Sequence, residues 1–153
     1  MHTNVKLENF ALYELISKQV MDLLGANAWA LFNVGFLKDV DRLTTDLKKD
    51  TKCEGVIIND WKWHGSYTQS GFREANSTTG SSRSQHKQGN AFDLKFNGIT
   101  VDEALEYLIK YQDKYPHIKR YELLDYTRST NKYGGWLHLD GKLDEPKLRG
   151  IVP

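Results

Sequence analysis

Three residues in the second half of the chain have the types and spacing of a metal site: His86, Asp93 and His138. Two imidazoles and one carboxylate with an open fourth position are the ligand set of a catalytic zinc ion, whose bound water has a pKa of about 7. A structural zinc ion would more often take four protein ligands, mostly cysteines. The chain has a single cysteine, Cys53, so the residues favour catalytic chemistry if a metal is bound.

Two segments with alternating apolar and polar residues would position these ligands. Residues 91–96 read Ala-Phe-Asp-Leu-Lys-Phe, and residues 136–140 read Trp-Leu-His-Leu-Asp. Each pattern predicts a strand with apolar side chains on one face and a possible ligand, Asp93 or His138, on the other. Neighbouring strands would bring both ligands to one face, with His86 entering across the bend at Gly89. Periodicity alone favours an ordinary surface or core histidine and aspartate over a metal site.

Helices precede and separate these strands. Apolar residues recur every three or four positions from Glu8 to Leu24, with Gly25 as the stop, and a second helix is predicted over about residues 36–49. A capping box at Thr100–Glu103 predicts a third helix to about residue 114. Shorter patterns predict strands over residues 55–58 and 118–126 and a turn over residues 131–135.

The order of these elements predicts one α+β domain over residues 1–153. Helices occupy about residues 8–50, and a core with the catalytic residues occupies about residues 55–145. We expect a small antiparallel sheet with flanking helices.

The segment between residues 61 and 90 has the composition of a loop. It is rich in Ser, Thr, Gly, Asn and Gln, and it carries four cations, Lys62, Arg73, Arg83 and Lys87, against one acid, Glu74. A loop of this length in a small domain is either a mobile surface excursion or a functional segment, and composition alone favours the surface excursion. Its cations would suit an anionic substrate.

Charge and hydropathy exclude several classes of protein. The 153 residues include 21 Lys and Arg against 20 Asp and Glu, so bulk charge does not predict nucleic-acid binding. No apolar run has the length of a membrane span, and the N-terminus lacks the pattern of an export signal. We expect a soluble domain with no nucleic-acid partner, no membrane span and no signal peptide.

The local sequence around the three candidate ligands matches a known motif. Residues 84–93 read S-x-H-x-x-G-x-A-x-D, and Trp136 and His138 form a later W-x-H. Over about residues 61–140 the chain resembles the D-alanyl-D-alanine carboxypeptidase family of zinc peptidases. That family includes bacterial DD-carboxypeptidases, vancomycin-resistance dipeptidases and phage L-alanyl-D-glutamate endolysins, and it shares its fold with the Hedgehog signalling domain. The resemblance implies a Hedgehog/DD-peptidase-like fold.

The resemblance also implies roles for five residues. His86, Asp93 and His138 would be the zinc ligands, and Ser84 would steady the substrate or a ligand at the rim of the site. Arg73, in the segment Ser-Gly-Phe-Arg at residues 70–73, would polarise the scissile carbonyl and stabilise its developing oxyanion. Without the resemblance, Arg73 would be interpreted as a solvated loop cation.

One departure from the family concerns the general base that accepts a proton from the attacking water. Family members commonly place Glu or Asp three residues before the last ligand, or His two residues before it. Here those positions hold Gly135 and Trp136, which cannot accept a proton. The alternatives are four residues of the same region: Asp140, Tyr133, Glu122 and Asp125. Asp140 is equally compatible with orienting a ligand.

Two functions follow as hypotheses. The first is a zinc metallopeptidase that cleaves peptidoglycan stem peptides as a D-Ala-D-Ala carboxypeptidase or an L-Ala-D-Glu endopeptidase. We expect it to be phage-encoded, present in the virion or in the host cytoplasm before lysis, and to act at the cell wall. The alternative is a weak or inactive module that binds the cell wall or other virion tail proteins and keeps the zinc peptidase fold.

Overall fold

The computed structural model describes residues 5–124, except the side chain of Leu124, and residues 133–151. Its helices are α1 (Lys18–Leu24), α2 (Val34–Asp50) and α3 (Val101–Lys110). Its strands are β1 (Gly55–Ile57), β2 (Ala91–Asn97), β3 (Arg120–Leu124), β4 (Trp136–Asp140) and β5 (Arg149–Gly150). The α+β class predicted from the sequence is confirmed.

The helix predicted from Glu8 to Leu24 is wrong in its first half. Only a 3-10 turn forms at Leu12–Glu14, and α1 begins after Ser17, whose hydroxyl accepts a hydrogen bond from Val20 N at 3.2 Å. This N-cap starts a new helix at residue 18, because a serine in that position satisfies a backbone donor that a continuous helix would bond internally. Gly25, with φ of +52°, ends α1 as predicted.

The five strands form one sheet in the order β1-β2-β4-β3-β5. The pairs β1–β2, β2–β4 and β4–β3 are antiparallel, but β3 and β5 are parallel. The prediction of an antiparallel sheet is therefore wrong at this edge. With two residues, β5 is too short to show a periodic pattern, so its pairing depends on tertiary structure.

Strand β3 begins later than predicted, and the turn that follows it is described only in part. The strand predicted over residues 118–126 is observed as Arg120–Leu124, with residues 125 and 126 outside the described part. The predicted turn over 131–135 is described only from residue 133, where Gly134 and Gly135 have φ of +71° and +105°. These glycines lead directly into β4.

The two faces of the sheet are covered by different parts of the chain. On one face, Phe92, Leu94, Leu137 and Leu139 are buried in a cluster that includes side chains of α2 and α3. The rings of Phe36 and Phe92 lie 5.3 Å apart, and each fully buried apolar side chain of this size contributes about 1.5–3 kcal/mol.

The other face is covered by the long polar segment between β1 and β2. Asp93 N donates to Ser70 O at 2.8 Å, and Phe72 N donates to Leu15 O at 2.8 Å. The segment is therefore attached both to β2 and to the N-terminal region, which excludes a detached surface loop at residues 70–72. Strand β2 is buried on both faces as a result.

Among the described residues, no single helix is long and apolar enough to cross a membrane. In the same part of the chain, one pair of consecutive helices has the length and composition of a membrane span only when the two are taken together. This pair, Lys18–Leu31 and Val34–Asp50, is bent by 95°.

Candidate metal centre

The candidate ligands lie on the face of the sheet that the polar segment covers. In the strand register, Asp93 of β2 lies directly opposite His138 of β4, and His138 lies directly opposite Glu122 of β3. Directly opposed residues of antiparallel strands project from the same face. The three side chains therefore form a row across the sheet, and His86 reaches it from the 3-10 turn Gln85–Gln88.

Three donor atoms meet at this row. His138 Nδ1 lies 2.9 Å from Asp93 Oδ1, and His86 Nε2 lies 3.2 Å from each of these atoms. Ligand atoms at about 2.0–2.2 Å from a tetrahedral zinc ion are about 3.4 Å apart. The triangle therefore needs only a small expansion to surround an ion, and this buried His-Asp-His group can hold a metal.

Each ligand is held by a second partner on its outer side. His86 Nδ1 lies 2.8 Å from Gly71 O. Since a carbonyl only accepts, Nδ1 carries the proton and the lone pair of Nε2 faces the triangle. Arg73 Nη2 donates to Asp93 Oδ2 at 3.0 Å, which leaves Oδ1 to face inward.

The third ligand is held in the same way. His138 Nε2 lies 3.1 Å from Asp140 Oδ2, so a neutral His138 donates from Nε2 and turns the lone pair of Nδ1 toward Asp93. Arg120 in turn donates to Asp140 from Nε at 2.9 Å and Nη2 at 2.8 Å. Such outer partners are the usual support of metal-binding histidines, so the donor set fits zinc.

Two glycines allow the polar segment to approach closely enough to build the site. A Cβ at Gly71 would lie 2.1 Å from Leu15 O, and a Cβ at Gly89 would lie 1.8 Å from Leu31 O. Gly89 also has φ of +65°, which favours glycine. These contacts explain the glycines of the Ser-Gly-Phe-Arg segment and of the S-x-H-x-x-G motif.

The environment of the row shifts the pKa values of its titratable groups. Burial alone would raise the pKa of Asp93, but the hydrogen bonds and charges of His138 and His86 together outweigh burial, and the pKa is lowered. Burial alone would lower the pKa of His138, but the Asp140 and Asp93 carboxylates raise it to about 9. Burial alone would raise the pKa of Asp140, but hydrogen bonds from His138 and Arg120 lower it.

We expect zinc binding to depend steeply on pH. Below its pKa of about 9, His138 of the metal-free protein is protonated on both ring nitrogens. The proton on Nδ1 then lies beside Asp93 Oδ1 and His86 Nε2, where an ion would be coordinated. Binding must displace this proton, so zinc affinity should fall about tenfold per pH unit below about 9. Calorimetric titrations at several pH values, in buffers with different ionisation enthalpies, measure the affinity and the proton released.

The stability of the metal-free protein should change in the opposite sense. The pKa of His138 is raised from 6.5 to about 9 on folding. Its contribution to the free energy of unfolding is therefore fully present below pH 6.5 and is lost as pH rises through 9. A zinc affinity that does not change over this range would contradict the arrangement of protons described above.

The structure brings Arg73 to the site, and it places Ser84 directly before the turn that carries His86. Arg73 is mostly buried, and its Nε donates to Gln69 O at 2.6 Å. Ser84 precedes the turn that carries His86 and accepts at its carbonyl from Lys87 N at 3.0 Å. A Cβ at Gly80 would lie 3.0 Å from Arg73 Nη1 and 3.7 Å from Ser84 Oγ, so Gly80 lies beside both side chains. The substrate role of Ser84 remains a prediction.

The four candidates for the general base have different surroundings. Asp140 is fully buried, and its oxygens accept from His138, Arg120 and Lys142 N, so it is a positioning residue. The Tyr133 ring packs against Tyr67 at 6.2 Å, and residue 125 lies outside the described residues. Glu122 shares the face of His138 and is half-buried.

A cleft of about 220 Å³ adjoins the candidate metal centre on the side of Asp93. Its lining includes Arg73, Lys95 and Trp136. Lys95 is only 1% exposed, and its Nζ donates to Ser70 Oγ at 2.9 Å and to Asp93 O at 3.1 Å. Burial lowers the pKa of Lys95 to about 8, against the opposing charges of Asp93 and Asp60.

The sequence assigns no role to Lys95, although it contains one signal for this residue. The alternation of β2 places it on the same face as Asp93, two residues away. Its position in the cleft depends on contacts with the polar segment, which periodicity does not report.

Comparisons with protein-family models, curated proteins and solved structures found no match to this chain. The functional assignment therefore depends on the motif and on the chemistry of the metal centre.

Proposed function

We propose that this protein is a zinc-dependent peptidase of the D-alanyl-D-alanine carboxypeptidase family that hydrolyses peptidoglycan stem peptides. The observation that carries the proposal is the triangle of donor atoms from His86, Asp93 and His138. Its edges of 2.9–3.2 Å and the hydrogen bond on the outer side of each ligand support a preformed catalytic metal site.

When bound, zinc supplies a Lewis acid that polarises a peptide carbonyl and makes water nucleophilic at neutral pH. Arg73 holds Asp93 in place and brings a fixed positive charge to the cleft, where it stabilises the oxyanion that develops on the carbonyl. Asp140 and Arg120 keep His138 in the orientation that a ligand requires.

For the general base we propose Glu122, which lies next to His138 on the site face. Its carboxylate takes a proton from the attacking water as the new C–O bond forms. It then returns this proton to the leaving amine as the C–N bond breaks. Glu122 thus replaces the family's usual base, whose positions hold Gly135 and Trp136.

The occupants of positions 135 and 136 also favour a second function, a non-catalytic module for the cell wall or for virion tail proteins. The fold and the metal centre would then serve binding alone. The two functions differ in turnover, so one assay separates them.

The assay is digestion of purified muropeptides by the zinc-loaded protein, with products identified by mass spectrometry. We expect fragments that disappear when a chelator is added and return when zinc is restored. The fragment masses distinguish loss of a terminal D-Ala from cleavage between L-Ala and D-Glu. Stoichiometric zinc without any fragment would contradict the peptidase and favour the binding module.

A further inference from the structure

The cleft beside the metal centre contains more positive than negative charge. Among the described residues that line it, the cations are Arg73 and Lys95 and the anion is Asp93. Both oxygens of the Asp93 carboxylate already have partners, because Oδ2 accepts from Arg73 and Oδ1 faces the two histidines. Its charge is thus shared, and it compensates Lys95 only in part.

Lys95 is a buried cation without a direct carboxylate partner among the described residues. Its Nζ contacts a hydroxyl, Ser70 Oγ, a carbonyl, Asp93 O, and the ring of Tyr67, whose centroid is 4.4 Å away. All three contacts are with neutral groups. The Asp93 and Asp60 carboxylates act on this charge without forming an ion pair with it. Burying a cation without a directly paired anion is costly, so a ligand that supplies a negative charge would stabilise this arrangement.

A second, independent observation concerns Trp136 on the same cleft. Its indole Nε1 is buried and has no hydrogen-bond partner in the part of the chain that the structure describes. Buried donors of this kind are usually satisfied. Because Trp136 lines the cleft, a carboxylate bound there is a candidate acceptor for this N–H.

We propose that the cleft binds a carboxylate of the substrate, with Lys95 as its main charge partner and Trp136 as a neutral donor. This inference rests on the proposed function, since it assigns the substrate group that the peptidase recognises next to the scissile bond. A stem peptide has two sources of such a group, the α-carboxylate of its γ-linked D-glutamate and its C-terminal carboxylate. The chemistry of the cleft is the same for both.

The test uses the pentapeptide L-Ala-γ-D-Glu-L-Lys-D-Ala-D-Ala with each carboxylate either free or amidated. Binding to metal-free protein, which cannot cleave the peptides, is measured by calorimetry, and KM is measured with the zinc-loaded protein. The variants are Lys95→Met, Lys95→Arg and, as a matched control, Lys110→Met. Lys110 is exposed and also lies over a tyrosine ring, that of Tyr111, at 5.1 Å.

We expect amidation of one of the two carboxylates to weaken wild-type binding by about tenfold or more, as for the loss of a charged hydrogen bond. Lys95→Met should weaken binding of the free acid by a similar factor and leave the amide unaffected. Lys95→Arg should restore the preference for the acid, and Lys110→Met should behave as wild type. The amide that loses affinity identifies which carboxylate is bound.

A merely structural role for Lys95 would lower the melting temperature of Lys95→Met and weaken acid and amide equally, which would overturn the inference. Wild-type binding without any preference for the acid would also overturn it, while leaving the proposed function in place. If the wild type neither binds nor cleaves any of the peptides, the proposed function fails, and the inference fails with it.

Discussion

Replacing His138 with alanine is expected to abolish stoichiometric zinc binding and, with it, muropeptide hydrolysis. The substitution removes one of three ligands and leaves Asp93 Oδ1 without its 2.9 Å partner. Loss of an outer partner alone typically costs about 10–100-fold in metal affinity, and loss of a ligand should cost more. Metal content by mass spectrometry on protein purified with excess zinc measures the effect.

The matched control is His117→Ala. The His117 side chain is 56% exposed and pairs with Asp39 at 3.0 Å, and it does not belong to the His-Asp-His group. This variant should retain one zinc ion per chain. Circular dichroism of both metal-free variants shows whether either has lost its fold. A folded His138→Ala variant with full zinc content would show that the ligand assignment is wrong.

Replacing Glu122 with glutamine is expected to lower kcat by about 10²–10⁴-fold, the usual contribution of a general base. Glutamine has nearly the same shape but cannot accept the proton of the attacking water. Glu122 is not among the three ligands, so the variant should bind zinc as the wild type does. Single-turnover hydrolysis and zinc content are measured on the same preparation.

The control for this substitution is Glu106→Gln, which removes a carboxylate from the exposed side of α3 and should leave kcat unchanged. A base acts in the chemical step, so Glu122→Gln should change kcat and have little effect on KM. An unchanged kcat would exclude Glu122 and direct attention to Tyr133 and Asp125.

Local periodicity was sufficient to predict the strands that carry the site. The alternation around Asp93 and His138 placed both residues opposite the apolar face, and the register confirms that they are neighbours. The capping box at Thr100–Glu103 likewise predicted the start of α3 correctly. These features are visible in sequence because they depend on nearest neighbours along the chain.

The features that sequence did not reveal depend on contacts between distant segments. The outer support of His86 is the carbonyl of Gly71, which is placed by the close approach of that glycine to Leu15 O. The position of Glu122 beside His138 depends on the register between β3 and β4, which alternation within one strand does not specify. Four candidates for the base therefore had equal standing before the sheet was known.

The sequence also did not predict that the polar segment between β1 and β2 covers the second face of the sheet. A segment rich in Ser, Gly and Asn is typical of a solvent-exposed loop, yet here it buries Ser70 and holds Lys95 Nζ. The segment is held in place by individual hydrogen bonds to β2 and to the N-terminal region. Such bonds produce no periodic pattern in the sequence.

The measurement that tests the central claim most directly is anomalous X-ray diffraction from crystals grown with zinc, recorded on both sides of the zinc absorption edge. The account predicts one strong peak per chain, about 2.0–2.2 Å from His86 Nε2, Asp93 Oδ1 and His138 Nδ1. A peak elsewhere, or no peak in crystals of folded protein, would contradict it.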